Sequence, residues 1–525
     1  MRNVYSPPRR IIPGALLIFL LLLSGCEGPV GPAGQDGRDG REAPAPVDVG
    51  EYISAALAAK TGGGSDPWTL RVSGVDLNND AAVAKLFRGI AGGIEEDAPI
   101  ALDLSGCTGW GFCYNPGLLS ADKARIVSIT FPESLTEITD GTSGAAAFTG
   151  FSALKRVSAP ALTYVGNYAF NGCPALETLD LPELTGMGTY AFTAVSTAPN
   201  TTLQTLNLPK VETIGANAFR YYTAISTISL PKVTSIGNDA FAAASASPNT
   251  ALETLDLPEV ETIGNSAFQY CTAIETITLP KVTGIGDNAF AAASGSLNTT
   301  LETLDLPEVE TIGNSAFRYY TAISTISLPR VTSIGTYAFS PSAAASSNTT
   351  LETLDLPNLE TIGVNAFQYY TAIETITLPR VTSIGNYAFA AASGYTNTAL
   401  ETLDLPGVKT LGAYAFQYYA ALETIELPAL TSIGNRAFEY CTALTSLKLG
   451  PTVPTLPTLS TTAANGIFLN TGNSGTIDIK VPAGTETESA YAAAGWKNIA
   501  QGDNTTTGTI RFGTNHKAIT ITPYN

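Results

Sequence analysis

The chain of 525 residues is long enough for several globular domains or for one extended array of repeats. Only 14% of its residues are charged, yet the formal net charge is −18. An excess of negative charge on this scale repels phosphate backbones and anionic lipid headgroups, so it argues against a protein that binds nucleic acid or an acidic membrane surface.

The chain begins with the pattern of a bacterial export signal. Arg2, Arg9 and Arg10 form a basic region, and the apolar run "IIPGALLIFLLLL" follows. This run ends in "LSGC" at Cys26, which resembles a lipobox, where cleavage leaves the cysteine as a lipid-modified first residue. The alternative is an uncleaved anchor helix, but the run is shorter than the roughly 20 apolar residues that span a bilayer. We therefore predict a signal peptide at residues 1–25 and lipid attachment at Cys26.

Glycine recurs at every third residue after this cysteine, in "CEGPVGPAGQDGRDGRE". The spacing is that of collagen, but a triple helix requires three chains in register and only about five triplets are present. A tether is the preferred interpretation, because about 15 residues at ~3.1 Å each would hold the following domains up to about 45 Å from the lipid. We predict that residues 26–46 are an anchor and tether of a monomer, with trimerisation through the Gly-x-y run as the alternative.

One motif, L-x-x-L-x-L-P-x-V-x-x-I-G-x-x-A-F, recurs through most of the chain. Its first apolar residues are Leu154, Leu176, Leu203, Ile225, Leu252, Ile274, Leu301, Ile323, Leu351, Ile373, Leu400, Leu422 and Leu444. The steps alternate between 22 and 27 or 28 residues until the last, which is 22, so a two-coil unit of about 49 residues has been duplicated. No coil can bury its apolar face alone, and we expect successive coils to stack into a solenoid.

The coil that starts at Leu301 illustrates the predicted local structure. Pro307 ends the strand because proline has no N–H to donate to a ladder. Gly313 is expected to permit a turn, and Asn314 or Ser315 to cap a single helical turn. The predicted fold is therefore a mainly β solenoid with one parallel sheet and short helical turns.

The proline after the strand and the "IGxxAF" signature resemble the BspA-like, or treponemal-type, leucine-rich repeats of bacterial surface proteins. The resemblance covers roughly residues 126–450 and implies a leucine-rich repeat solenoid. It also implies a protein of the bacterial cell envelope or surface that binds protein ligands, in adhesion to host or neighbouring-cell molecules. We predict an N-terminal capping region at 47–125, a C-terminal capping module at 451–500 and a tail at 501–525.

Five cysteines remain once one of the six is assigned to lipid. Cys107 and Cys113, in "CTGWGFC", are close enough in sequence to form a disulfide, and this pairing is left open. Cys173, Cys271 and Cys441 follow the "AF" element at one offset, where other coils have tyrosine. We predict that these three are buried structural thiols rather than redox or metal-binding groups.

Two rows of residues are candidates for ligand binding. The first row faces outward from the strands and combines a regular threonine with an alternating aspartate. Its members are Thr254, Asp256, Thr303, Asp305, Thr353, Asp355, Thr402 and Asp404. The alternative is structural, because threonine is a favourable strand residue and the alternation keeps the carboxylates about 10 Å apart.

The second row is aromatic and recurs in alternate coils. It consists of Tyr221, Tyr270, Tyr319, Tyr369 and Tyr418. Tyrosine can anchor protein or sugar ligands because it buries a large area at a low entropy cost, but it can equally pack across the edge of a coil. A separate row of alternating charges after the proline, which includes Glu259, Lys281, Glu308 and Arg330, is predicted to form ion pairs between neighbouring coils.

The sequence carries no motif for catalysis. His516 is the only histidine, and the nucleophile, metal and phosphate motifs HExxH, GxSxG and GxxxxGK[ST] do not occur. We therefore predict no enzyme activity, no cofactor and no metal site. Two other functions stay open: a structural or antigenically variable surface spacer without a dedicated ligand, and a polysaccharide-binding protein.

Overall fold

The computed structural model describes residues 15–16, 68–79, 82–83, 86–87, 90, 99–109, 111–112, 123–142, 146–341, 343–455, 467–468, 471, 476–483, 490–491 and 518–524. The chain divides into two compact units. Unit 1 is Met1–Val211 with Ala218–Tyr222, and unit 2 is Glu212–Asn217 with Thr223–Asn525. Cys26, Cys113, the predicted tether and most of the predicted signal peptide lie outside the described residues.

Unit 1 contains parallel strands in two series. The strands are β1 (Ala15–Leu16), β2 (Trp68–Asp76), β3 (Ile100–Thr108), β4 (Gly111–Phe112), β5 (Ile126–Thr130), β6 (Glu137–Ile138), β7 (Arg156–Ser158), β8 (Tyr164–Val165), β9 (Thr178–Asp180), β10 (Gly186–Met187) and β11 (Thr205–Asn207). One series has the order β1-β2-β3-β5-β7-β9, and β4, β6, β8 and β10 follow one another in the second. Among the described residues, no helix is long and apolar enough to cross a membrane.

Unit 2 has two strands in each coil, a front strand of three or four residues and a back strand of two. The front strands are β13 (Thr227–Ser229), β15 (Thr254–Asp256), β17 (Thr276–Thr278), β19 (Thr303–Asp305), β21 (Thr325–Ser327), β23 (Thr353–Asp355), β25 (Thr375–Thr377), β27 (Thr402–Asp404), β29 (Thr424–Leu427) and β31 (Ser446–Leu449). The back strands are β12 (Thr213–Ile214), β14 (Ser235–Ile236), β16 (Thr262–Ile263), β18 (Gly284–Ile285), β20 (Thr311–Ile312), β22 (Ser333–Ile334), β24 (Thr361–Ile362), β26 (Ser383–Ile384), β28 (Thr410–Leu411) and β30 (Ser432–Ile433). Two further strands, β32 (Thr476–Pro482) and β33 (Ala518–Tyr524), follow β31 in its sheet, and one 3-10 helix spans Ala344–Ser346.

This architecture confirms the predicted repeat solenoid of parallel strands, but it has two ladders in each coil where one was expected. The back strands of unit 2 form one continuous parallel ladder from β12 to β30. The front strands instead pair by twos, as β15–β17, β19–β21 and β23–β25, with a longer series only from β27 onwards. We call two coils that are joined by a 22-residue step a couple.

The turn after each back strand differs from the expected helical turn. Ser315 and Tyr319 have φ angles of 56° and 74°, in the left-handed region that interrupts a right-handed helix. Asn314 does not cap its own turn, because its Oδ1 accepts the backbone N–H of Thr336 in the next coil at 2.8 Å. The side chain therefore joins two coils instead of starting a helix.

Asparagine repeats this contact along the coils of unit 2. Asn265 N–H donates to Asn238 Oδ1 at 2.8 Å, and Asn314 N–H donates to the Oδ1 of Asp287 at 2.6 Å. Farther along, Asn386 Oδ1 accepts the N–H of Ala413 at 2.7 Å. Thr336 and Val364 occupy the same position in the two intervening coils and carry no Oδ1, so this ladder of asparagine and aspartate acceptors is interrupted there.

The glycine of the "IG" element is required by close packing and not by a turn. A Cβ atom on Gly313 would lie 2.6 Å from the carbonyl carbon of Gly286 and from the backbone N of Asp287. Gly286 is equally close to the carbonyl carbon of Gly264 in the preceding coil. The backbones of successive coils touch at this position, which leaves no room for a side chain.

Buried phenylalanine rings form a stack through the core of unit 2. Phe290 and Phe317 have ring centroids 5.1 Å apart with an angle of 8° between the ring planes, and Phe317 and Phe339 are 5.6 Å apart. The phenylalanines of the "AF" elements continue this stack from Phe241 to Phe438, and all are buried. Each ring therefore covers the next, as expected if one ring per coil fills the wide side of the core.

The interrupted asparagine ladder gives a test of this packing. Val364→Asn should supply the missing Oδ1 acceptor and remove an apolar side chain that is 37% exposed. One additional hydrogen bond should raise the free energy of unfolding by about 1 kcal/mol, which thermal denaturation of the full chain can measure. The reverse change, Asn314→Val, is the matched control and should lower stability by a similar amount. A Val364→Asn variant with an unchanged or lower melting temperature would contradict the proposed role of the ladder.

Candidate functional site

The front face of unit 2 is the surface formed by the outward side chains of the front strands. In β15, Thr254 and Asp256 are exposed while Leu255 between them is fully buried. All eight threonine and aspartate residues that the sequence predicts for this row are exposed in the same way: Thr254, Asp256, Thr303, Asp305, Thr353, Asp355, Thr402 and Asp404. Their placement agrees with the sequence analysis, and their role in binding stays a prediction.

Strand register sets which side chains are neighbours on this face. Thr254 lies beside Thr276, and Asp256 lies beside Thr278. The next couple repeats the pattern, with Asp305 beside Ser327. The threonine column is therefore continuous within a couple, whereas Asp256, Asp305 and Asp355 each have a hydroxyl residue as their neighbour in the ladder and Asp404 has Glu426.

Buried asparagine side chains replace the front ladder where one couple meets the next. Asn298 is completely buried, and its Nδ2 donates to the carbonyl oxygen of Ile274 at 2.8 Å. Its Oδ1 accepts the backbone N–H groups of Thr300 at 3.2 Å and Leu301 at 3.0 Å. The amide thus bridges two coils with hydrogen bonds that a backbone ladder would otherwise supply.

The same bridge recurs at every change of couple in unit 2. The bridging residues are Asn249, Asn298, Asn348 and Asn397. Within the described residues, no backbone ladder joins β13 to β15, β17 to β19, β21 to β23 or β25 to β27. Sequence reasoning missed these asparagines, although a recurring "NT(T/A)L" before the first leucine of alternate coils marks each of them.

An open groove lies on the front face where two couples meet. Between β13 and β15 it encloses about 390 Å³. Its walls are formed by Ser226 and Thr227 on one side and by Glu253, Thr254 and Asp256 on the other. Ile228 and Ala251 complete the lining, which otherwise consists of hydroxyl groups and carboxylates.

From β13 to β25 the carboxylates of this face have no ion-pair partner among the described residues, whereas Glu426 of β29 pairs with Lys448 of β31. From β13 to β25 the exposed acidic residues of the front strands and their preceding positions are Glu253, Asp256, Glu275, Glu302, Asp305, Glu352, Asp355 and Glu374. None of them forms a salt bridge within the described part of the chain, and these positions contain no lysine or arginine. The front face is therefore uniformly acidic over this length.

Acidic residues at the strand ends are paired, in contrast. Lys281 Nζ lies 2.6 Å from Glu259 Oε2, and Arg330 pairs with Glu308. These contacts confirm the ion pairs predicted for the row after the proline. All four side chains are about half exposed, so each pair contributes at most about 1 kcal/mol to the free energy of unfolding.

The tyrosine row is half-buried and has its ring faces occupied at several positions. The guanidinium of Arg318 lies 4.7 Å from the ring centroid of Tyr319, and Tyr418 stacks on Tyr440 at 4.3 Å. The five tyrosines Tyr221, Tyr270, Tyr319, Tyr369 and Tyr418 all have φ angles between 65° and 74°. Side-chain packing at the coil edge accounts for the ring contacts at Tyr319 and Tyr418, and these contacts leave less ring face for a ligand.

The cysteines of the repeats lie in the core, as predicted. Cys271 is buried, its thiol donates to the carbonyl oxygen of Phe241 at 3.7 Å, and burial raises the pKa of the thiol to about 12. Cys173 and Cys441 are buried in the same way. Thiols with such a pKa are protonated and unreactive at neutral pH. The described residues contain no group of three or more His, Cys, Asp or Glu side chains that could hold a metal ion.

The possible disulfide between Cys107 and Cys113 stays a prediction. Cys107 is buried, and its Sγ lies 3.6 Å from the carbonyl oxygen of Val72. Cys113 lies outside the described residues.

Comparison with known proteins identifies the repeat. The family model described as "BspA type Leucine rich repeat region (6 copies)" matches residues 121–247, 244–346 and 341–463. A search of curated proteins gave no match.

Three bacterial proteins of known structure are similar to this chain. A leucine-rich repeat protein from Bacteroides ovatus is 21% identical, with a TM-score of 0.45, over 64% of this chain and 82% of that chain. A leucine rich cell surface protein from Faecalibacterium prausnitzii is 20% identical, with a TM-score of 0.30, over 67% and 83%. The pneumococcal vaccine antigen PcpA is 16% identical, with a TM-score of 0.33, over 81% and 85%.

Buried tyrosines at the cysteine position give a second test. Tyr222 OH donates to the carbonyl oxygen of Phe192 at 2.8 Å, whereas Tyr320 OH has no hydrogen-bond partner within the described residues. Tyr222→Phe should therefore lower the free energy of unfolding by about 1 kcal/mol, and Tyr320→Phe should leave it unchanged or raise it. Chemical denaturation of the two variants would measure the difference. Equal losses in both would show that the hydroxyl of Tyr320 is also satisfied.

Proposed function

Because the chain belongs to the BspA-type leucine-rich repeat family, we propose that it is a lipid-anchored protein of the bacterial cell envelope whose solenoid binds proteins in adhesion. The adhesion partners are molecules of a host or of neighbouring cells. The observation that carries the proposal is the front face of unit 2, where eight predicted threonines and aspartates are exposed at equivalent positions of four successive couples. Repeat solenoids use such extended surfaces for recognition.

Binding, not catalysis, is the activity that this surface supports. Leucine-rich repeat proteins are generally non-enzymatic binding scaffolds, and the exposed side chains of the front face are hydroxyl groups and carboxylates. Exposed side chains on a rigid ladder can contact a protein partner with little loss of conformational entropy. Binding of a protein ligand along the front face is therefore the leading function.

A surface spacer of variable length is the second candidate. The observation that favours it is the uniformity of the couples, because the same asparagine bridge recurs at Asn249, Asn298, Asn348 and Asn397. Any couple can be gained or lost without creating a new type of contact. Whole-couple changes among isolates, with no retention of front-face residues, would favour the spacer over the adhesin.

Blocking the front face tests the binding function. The full chain should capture at least one protein from a panel of extracellular-matrix, plasma and bacterial surface proteins. Thr303→Arg combined with Thr402→Arg places bulky cations on the front face and should lower that capture at least about tenfold. The matched control is Thr311→Arg with Thr410→Arg, which makes the same change on exposed back strands of the same coils and should have little effect. No capture, or equal losses in both variants, would remove the support for a front-face ligand.

Lipid attachment has its own test. Cys26→Ser should abolish incorporation of labelled fatty acid, which radiolabelling of growing cells can measure. Protease treatment of intact cells would then show whether the wild-type repeats are exposed at the surface. Labelled lipid that persists in the Cys26→Ser variant would contradict the predicted anchor site.

A further inference from the structure

We propose that the front face of unit 2 binds an extended cationic segment of a partner protein, with lysine or arginine side chains at every third position. These side chains enter the grooves where successive couples meet. The inference rests on the proposed protein-binding function and specifies the chemistry of the ligand.

The backbone of the front strands is open at each groove. Glu253 O accepts the N–H groups of Glu275 and Thr276, and Leu257 N–H donates to Thr278 O. Residues 253, 255 and 257 therefore direct their backbone groups towards β17, so the alternate residues 254 and 256 direct theirs towards β13. No ladder joins β13 and β15 in the described chain. Carbonyl oxygens at this edge are acceptors for an ammonium or guanidinium group.

The negative charge of the front face favours a cationic ligand. Glu253 lies in the ladder position next to Glu275, and Glu352 lies next to Glu374, so like charges are neighbours within two couples. The strand ends of the same region carry ion pairs, such as Lys281 with Glu259, which neutralise their acidic residues. The front-face carboxylates from β13 to β25 have no such partner in the described residues. A cationic ligand would relieve their mutual repulsion, and Coulomb attraction would also accelerate its association.

Spacing of the grooves sets the spacing of the cations. The break in the front ladder that opens the groove between β13 and β15 recurs once per couple, which is two strands or about 10 Å along the array. A segment in the extended polyproline II conformation advances ~3.1 Å per residue and completes a turn in three residues, so side chains at i and i+3 lie on the same side and about the same distance apart. Each groove is accompanied by a carboxylate pair on the following strand, as at Glu253 with Asp256 and again at Glu302 with Asp305. An extended segment with Lys or Arg at i and i+3 matches this period.

Two synthetic peptides test the inference on the full chain. The probe consists of repeated Lys-Ser-Ser triplets. The control peptide has the same length and composition, but its lysines are grouped in one block in which every second residue is lysine. Isothermal titration calorimetry at low and physiological salt should show that the triplet peptide binds about fivefold or more tightly than the control. Equal affinity for both peptides would overturn the inference, because it would reflect charge attraction alone. No binding of the triplet peptide would overturn it as well.

Charge variants locate the binding surface. Glu302→Gln, Asp305→Asn, Glu352→Gln and Asp355→Asn together remove four front-face charges and should weaken triplet-peptide binding about tenfold. The matched control replaces Glu212, Glu261, Glu310 and Glu360 by glutamine, which removes the same charge from the residues before the back strands and should change affinity less than about twofold. Equal losses in the two variants would contradict a front-face site.

Failure of this inference can be told apart from failure of the proposed function. If a captured surface protein is lost in the Thr303→Arg and Thr402→Arg variant but retained in the front-face charge variant, protein binding stands and the cationic segment is wrong. If the triplet peptide binds as expected and no surface protein is captured, the groove site stands and adhesion is wrong.

Discussion

The backbones of successive coils touch at the glycine that follows each back strand, and the rest of unit 2 depends on this contact. A side chain at Gly313 would collide with Gly286, so the coils approach each other as closely as a continuous parallel ladder requires. Because this distance is fixed, the phenylalanine rings behind the glycines stack with centroids 5.1–6.1 Å apart. Asn314 and its equivalents can also reach the N–H of the next coil for the same reason.

The front strands follow a different constraint, which gives the molecule its candidate site. A buried amide at Asn298 joins two couples through its Nδ2 donation to Ile274 and holds its own coil through two bonds to Oδ1, and the front ladder stops there. All the amide's contacts are satisfied, so its burial does not carry the penalty of an unpaired polar group. The back ladder keeps the solenoid continuous through unit 2, while the front face is divided into couples separated by grooves. The candidate site and the structural continuity of the solenoid thus lie on opposite ladders of the same coil.

The sequence pattern predicted which residues are buried more accurately than it predicted their hydrogen-bond partners. The alternation around Leu255 predicted which side chains of β15 face solvent, because strand geometry places successive side chains on opposite faces. Cys271 occupies the same position in its coil as the buried tyrosines of other coils. This equivalence predicted that Cys271 lies in the core, because equivalent positions of a repeat are buried alike. Asn314 was misinterpreted because a cap and an inter-coil bridge use the same residue types. Only the distance between coils distinguishes the two, and that distance is a property of the stacked array.

The sequence by itself determined the repeat, its period, the outward threonines and aspartates and the absence of catalytic motifs, because each of these depends on residue type and spacing along one coil. Tertiary structure alone decided that two ladders form, that glycine serves packing, and that buried asparagines replace the front ladder at alternate steps. These features arise between residues 22 to 28 positions apart, where hydrogen-bond partners are set by stacking and not by local conformation. The grooves between couples belong to this second group, since they exist only where two coils are held together by a side chain instead of by their backbones.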